Sequence, residues 1–317
     1  MTPTRSTHRP TRLRRLGVLL SIAAALAMAA PARAGRAPPA PADLDARPVE
    51  LRSGSGSTIR GWLARGHPGA GAVLLLHGIG ASAAEMAGRA RFLAAAGYSV
   101  LAIDFRGHGA SGSAQTTYGG LESRDARAAV EWLRAALPGE RIGVIGISMG
   151  GAAALLGPAP LKVDALVLES VYPTIDAAIR NRARAWLGPL GALLAPLVER
   201  LMLPRQGVRA ADLRPVDRIG DQVAPLLVLA GAADPYTPPS ESRELYRNAR
   251  GPKALWEVPG AGHVDLHAFA PAEYERRVGG FLDRRLRTQT ALAPVGAAPL
   301  AAGPTPVAPL AAATGTP

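Results

Sequence analysis

Residues 141–151 read RIGVIGISMGG. The run from Ile142 to Ile147 is apolar and ends on Ser148, with Gly146 before it and Gly150 and Gly151 after it. A short apolar run bounded by glycine reads as a buried strand. The small residues after Ser148 read as a short helix. Gly146-Ile147-Ser148-Met149-Gly150 therefore fits G-x-S-x-G at a strand-to-helix turn. Such a turn must be sharp to lift a hydroxyl into the open, and a side chain at 146 or 150 would collide with neighbouring backbone. A serine at a helix start also faces unpaired N–H groups and the positive end of the dipole, which favour developing negative charge. The alternative, a glycine-lined turn with an incidental serine, gives no reason for a buried strand before it and a helix after it.

Outward from this stretch the chain alternates strand and helix. VELRSGSGSTIRGWLA (49–64) reads as a hairpin with a Ser/Gly turn. Buried strands are expected at 71–78, 98–109, 163–170, 224–231 and 253–260. Helices are expected at 81–97, 122–139, 239–249 and 272–287. In the helix 122–139, Ala126, Ala129, Val130, Leu133 and Leu137 recur at helical spacing. This alternation implies a mostly parallel sheet covered on both faces. Ligands of such sheets bind beyond the carboxyl ends of the strands. Residues 171–220 break the pattern with apolar helical sequence and no clear strand. An insertion there is expected to cap the strand ends and wall off water; the alternative is that it packs on the flank.

Reactive residues follow the strands. A serine hydroxyl needs a base, and His263, in the small-residue loop after strand 253–260, is the candidate. His267 is a rival expected on the surface or lid, and His77 and His108 sit in glycine-rich loops and read as structural. The base needs an acid to fix its tautomer. Asp234, after strand 224–231, is preferred, with Glu169 the runner-up. Asp234 could instead cap the next helix, but Ser240 lies closer to that helix start. An oxyanion hole would use the backbone N–H groups of Met149 and of Ile79, in the loop His77-Gly78-Ile79-Gly80. Gly78 and Gly80 are expected to let that loop approach the substrate.

The motifs LLLHGIG, AIDFRGHGASG, IGISMGG, LVLAGAADPYTPP and KALWEVPGAGHVDL span about residues 71–266. Together they resemble the α/β-hydrolase superfamily, especially its dipeptidyl-aminopeptidase-like and serine-aminopeptidase-like hydrolases. The resemblance implies a mostly parallel eight-stranded sheet with helices on both faces, a helical cap insertion, and a triad of Ser148, Asp234 and His263. It implies a scaffold role for Asp104 and Arg106. It carries chemistry but not specificity, because the region 171–220 departs from the pattern.

The ends read differently. Arg5, Arg9, Arg12, Arg14 and Arg15 precede an apolar run from Leu16 to Ala30, and Ala32-Arg33-Ala34 fits a cleavage site. This order predicts a signal peptide over 1–34 and an exported, periplasmic or secreted protein, the alternative being an uncleaved membrane anchor. Six arginines and no acids lie in that leader, so the formal charge falls from +12 to +6 on cleavage. A Pro/Ala-rich linker (35–42), the hydrolase domain (43–287) and an Ala/Pro-rich disordered tail (288–317) follow. With no cysteine there are no disulfides or thiolate sites. The chain carries no basic–aromatic module of a nucleic-acid binder, so no nucleic-acid partner is expected. The cluster Arg180, Arg182 and Arg184 reads as a solvated helix face or a contact for acidic headgroups. No histidine pair lies at metal-ligand spacing on a predicted helix, so no metal or cofactor is expected.

The sequence thus predicts a serine hydrolase of carboxylic esters acting through an acyl-enzyme on a small-molecule substrate. Leu187, Leu190, Leu193, Leu194, Leu197 and Leu201 suggest an apolar acyl or aryl group. A peptidase using Glu169 or Asp176 to anchor a peptide amine, an acyltransferase, and a non-catalytic binding protein are the alternatives. The sequence sets no oligomeric state.

Overall fold

Each strand-like run takes its place in one sheet. The computed structural model describes residues 40–112 and 115–288. The predicted leader, most of the linker and the tail beyond Thr288 lie outside the described residues. The strands are β1 (Ala46–Arg52), β2 (Thr58–Ala64), β3 (Ala72–Leu76), β4 (Ser99–Asp104), β5 (Ile142–Ile147), β6 (Ala165–Glu169), β7 (Leu226–Gly231) and β8 (Lys253–Val258). Their order is β1-β2-β4-β3-β5-β6-β7-β8. β2 runs antiparallel to both neighbours, and every other pair is parallel. This is the expected eight-stranded, mostly parallel sheet.

Both faces of the sheet are covered, as continuous apolar strands require. Along β3, Leu74 and Leu76 join one buried cluster while Val73 and Leu75 join the other. The first cluster includes α2 (Glu122–Ala136) and α3 (Met149–Leu155); the second includes α1 (Ala87–Ala95) and the C-terminal helical segment α7, residues 271–286. α6 (Pro239–Asn248) joins β7 to β8.

Several elements are shorter than their sequence patterns. The strand expected over 98–109 stops at Asp104. There the Asp104 carboxylate accepts the N–H groups of Ala83 and Ala110, both at 2.7 Å, and Gly107 and Gly109 take positive φ. The helix expected over 81–97 divides into a 3₁₀ turn, Ala83–Met86, and α1. A capping box between Ser82 and Glu85 starts the turn.

The segment after β6 forms two helices, α4 (Ile175–Leu187) and α5 (Pro189–Met202). Thr174 caps α4 by accepting the Ala177 N–H, and Gly188, at φ +62, makes the bend into Pro189. The helices approach closely: a Cβ on Gly191 would lie 1.9 Å from the Ala183 carbonyl oxygen. One edge of the pair faces the strand ends. The other leaves Leu190, Leu193, Leu197 and Leu201 exposed, Leu193 by 75%.

Candidate active site

Ser148 sits between β5 and α3 with φ +49 and ψ −114. Non-glycine residues seldom adopt this conformation, and strain of roughly 1–3 kcal/mol persists only where the surroundings enforce it. The glycines enforce it. A Cβ on Gly146 would meet Gly151 Cα at 2.7 Å, and one on Gly150 would meet the Leu76 carbonyl oxygen at 2.3 Å. One on Gly151 would meet Val171 Cγ2 at 2.2 Å. The Ser148 N–H donates to the Glu169 carbonyl at 2.8 Å, tying the turn to the end of β6.

The loop after β3 stands beside the serine, and two histidines hold it. The ring of His77 is fully buried; Nδ1 bonds the Gly78 carbonyl at 2.7 Å, and Nε2 accepts the Phe105 N–H at 3.0 Å. Burial, with His108 alongside, pushes the His77 pKa down to about 3, so the ring stays neutral. His108 Nε2 accepts the Gly80 N–H at 3.1 Å, and Nδ1 bonds the Arg106 carbonyl at 2.9 Å. Both histidines are structural, as their sequence context suggested. The expectation for the glycines needs one correction. Gly80 has φ +72, but Gly78 has an ordinary φ, and a Cβ there would meet nothing closer than 3.7 Å. Only Gly80 is demanded by the backbone.

Asp234 and His263 come together. His263 Nδ1 lies 2.7 Å from Asp234 Oδ2, which leaves Nε2 for a proton of another group. Asp234 is buried and well bonded: Oδ1 accepts the N–H groups of Tyr236 (2.8 Å) and Thr237 (2.9 Å), and Oδ2 accepts the Thr237 hydroxyl at 2.6 Å. Burial pushes its carboxyl pKa up, but the His263 and Thr237 bonds outweigh it and hold the group below its ordinary value. The carboxylate also caps its own turn, and Ser240 does not cap α6, whose N-cap residue is Pro238. Orienting a histidine and capping a turn are therefore not alternatives, because the two oxygens of Asp234 do both.

The rivals lie elsewhere. Glu169 is engaged by Arg89, with Oε2 2.6 Å from Nη2 and Oε1 3.1 Å from Nε, and by the Tyr274 hydroxyl. His267 is buried, not on the surface or lid; it bonds Glu275 at 2.9 Å and stacks on Phe92. Asp176 neighbours Glu199 across the two cap helices, and burial, with the Asp176 carboxylate alongside, pushes the Glu199 carboxyl pKa up.

Ser148, Met149, Ile79 and His263 line one cavity of about 130 Å³. Ile175, Ile179, Trp186 and Met202 of the insertion form its far wall, so the insertion lies over the strand ends. No carboxylate is among the lining residues. Met149 opens α3, where the first N–H groups have no helical partner. Arg182, read from the sequence as part of a solvated face or a headgroup contact, packs over the Tyr236 ring at 4.3 Å and lines the cavity. Thr237 escaped the sequence reading, and Arg182 has a different place there. Thr237 carried a signal, since a threonine three residues after an aspartate can close an Asx turn. Arg182 carried none.

The comparisons agree with this geometry. The family model of the alpha/beta hydrolase fold matches residues 71–184. Protein Rv2307c of Mycobacterium tuberculosis is 32% identical over 264 residues, covering 82% of this chain and 85% of that protein. Protein YqkD of Bacillus subtilis is 28% identical over 237 residues, covering 74% of this chain and 78% of its own. The solved esterase Pf2001 of Pyrococcus furiosus is 30% identical with a TM-score of 0.67, covering 82% of this chain and 98% of its own. Sheet order, strained serine turn and relatives spanning most of the folded part together place the chain in the α/β-hydrolase superfamily.

Proposed function

We propose that this hydrolase cleaves carboxylic esters through an acyl-enzyme on Ser148, with His263 as base and Asp234 as its orienting acid. The observation that carries the reading is that Ser148 and His263 line one cavity while the other ring nitrogen of His263 is bound to a buried carboxylate. The Ser148 oxygen attacks the ester carbonyl as His263 Nε2 takes its proton. The N–H groups of Met149 and Ile79 are assigned to the developing oxyanion. The carbon–oxygen bond then breaks, and the imidazolium returns the proton to the departing alcohol. Water, deprotonated by the same histidine, releases the acid and restores the serine.

Two observations favour esters over peptides. The cavity wall is apolar, and neither carboxylate considered as an amine anchor lines it, Glu169 being held by Arg89 and Tyr274. The resemblance to an esterase, Pf2001, points the same way. A panel of p-nitrophenyl esters run beside aminoacyl p-nitroanilides tests the reading. Ester turnover that disappears in Ser148→Ala, with little anilide turnover, is expected; anilides cleaved faster than esters would overturn it.

The leader supports export, with a mature chain beginning at Gly35. N-terminal sequencing of the exported protein would show Gly35 first; an intact Met1 in the membrane fraction would contradict this.

A further inference from the structure

A second cavity, of about 270 Å³, also reaches Ser148. It shares Ser148, His263, Ile79 and Arg182 with the apolar cavity but differs in character, since Glu85, Arg89, Ser170 and Asp265 line it. Ser170 follows β6 directly. It is 3% exposed, and among the described residues its hydroxyl has no hydrogen-bond partner. Buried hydroxyls without partners are uncommon and costly. Ser170 also holds φ +48, and the non-glycine residues at positive φ among those described are Tyr118, Ser148 and Ser170. Tyr118 and Ser148 line the apolar cavity, and Ser148 and Ser170 line the polar one. Among the described residues, positive φ outside glycine is thus confined to the walls of the two cavities. Arg89 adds a donor. Its Nε and Nη2 serve Glu169, while Nη1 lies 2.9 Å from Asp265 without a well-aligned hydrogen bond.

We propose that the polar cavity receives the alcohol half of the ester and that Ser170 recognises a hydroxyl on it, which makes the substrate class apolar acyl esters of small polyhydroxy alcohols, glycerol being the simplest. The proposal rests on the esterase reading above. An ester held at Ser148 must send its two halves in different directions, and two cavities meet there, one walled almost wholly by apolar groups and one that adds charged and hydroxyl groups to its wall. The direction follows from proton transfer. The leaving oxygen must depart beside His263, and Val264 and Asp265, which directly follow it, form the wall of the polar cavity. Charge selects the class. Arg89, Arg182, Glu85 and Asp265 all line the cavity, Arg89 against Asp265 and with Glu169 behind it, so positive and negative groups are both present. A neutral group that both donates and accepts hydrogen bonds suits such a wall better than an ion.

The test uses two esters of one acid, glyceryl hexanoate and propyl hexanoate, whose alcohols differ only in hydroxyl groups. Wild-type protein should favour the glyceryl ester at least tenfold in kcat/KM. Ser170→Ala should reduce that ratio about tenfold, with the loss falling on the glyceryl ester. Ser170→Gly, which relieves the positive φ, should reduce it equally, because both variants lack the hydroxyl. Equal rates for the two esters in the wild type, or an equal loss on both in the variants, would overturn the proposal; the second result would leave Ser170 with a structural or water-holding role. Fluorophosphonate labelling separates the two failures. A labelled enzyme without glyceryl preference refutes this proposal alone, whereas an enzyme neither labelled nor active on either ester refutes the serine-hydrolase reading as well.

Discussion

The serine turn and the cap helices wall the same cavity, yet they are built by opposite rules. At the turn, neighbouring atoms crowd every glycine: a single methyl on Gly146, Gly150 or Gly151 would sit 2.2 to 2.7 Å from one of them. Over α4 and α5 the outer edge meets little else among the described residues, and Leu193 is 75% exposed. The turn fixes one conformation for chemistry that tolerates little displacement. The outer face of the cap is held to no such tolerance, so its residues can vary without disturbing the serine.

Three substitutions probe that contrast, in falling order of effect. Asp234→Asn keeps the shape of the site but removes the charge that orients His263 and stabilises its imidazolium. Ester kcat should fall by roughly 10³- to 10⁴-fold with the thermal midpoint little changed; a fall below tenfold would mean another group orients the histidine. Glu169→Gln is the matching change at the buried carboxylate that does not reach His263. It leaves Arg89, 1% exposed, without its main counter-charge, and should cost about 3–5 kcal/mol of stability by denaturant titration. A stable but inactive Glu169→Gln protein would instead put Glu169 in the chemistry. Leu193→Ser on the exposed cap face should alter stability by less than about 0.5 kcal/mol. A larger loss would show that something covers this face in the folded protein.

The same contrast explains what could be read from the sequence. The sheet was legible because buried parallel strands must be continuously apolar, and the reactive residues stand where those strands end. Ser148 was legible because only glycine fits around it, and Asp234 and His263 because each follows a strand of fixed place. Arg182 was not, since nothing local distinguishes an arginine stacked on Tyr236 from one in solvent. His267 was misplaced for a similar reason: its burial depends on Phe92 and Tyr274, which are far from it in the chain or on another helix. Ser170 carried no signal at all, because an unpartnered hydroxyl and a positive φ are properties of the fold and not of residue type.

The central claim is that Ser148 is an activated nucleophile. Treating folded residues 35–317 with a fluorescent fluorophosphonate, beside Ser148→Ala, tests it with little demand on substrate recognition. Stoichiometric labelling of the wild-type protein, absent in the variant, is the result predicted. A well-folded wild-type protein that stays unlabelled, or a Ser148→Ala protein labelled as fast, would contradict the account.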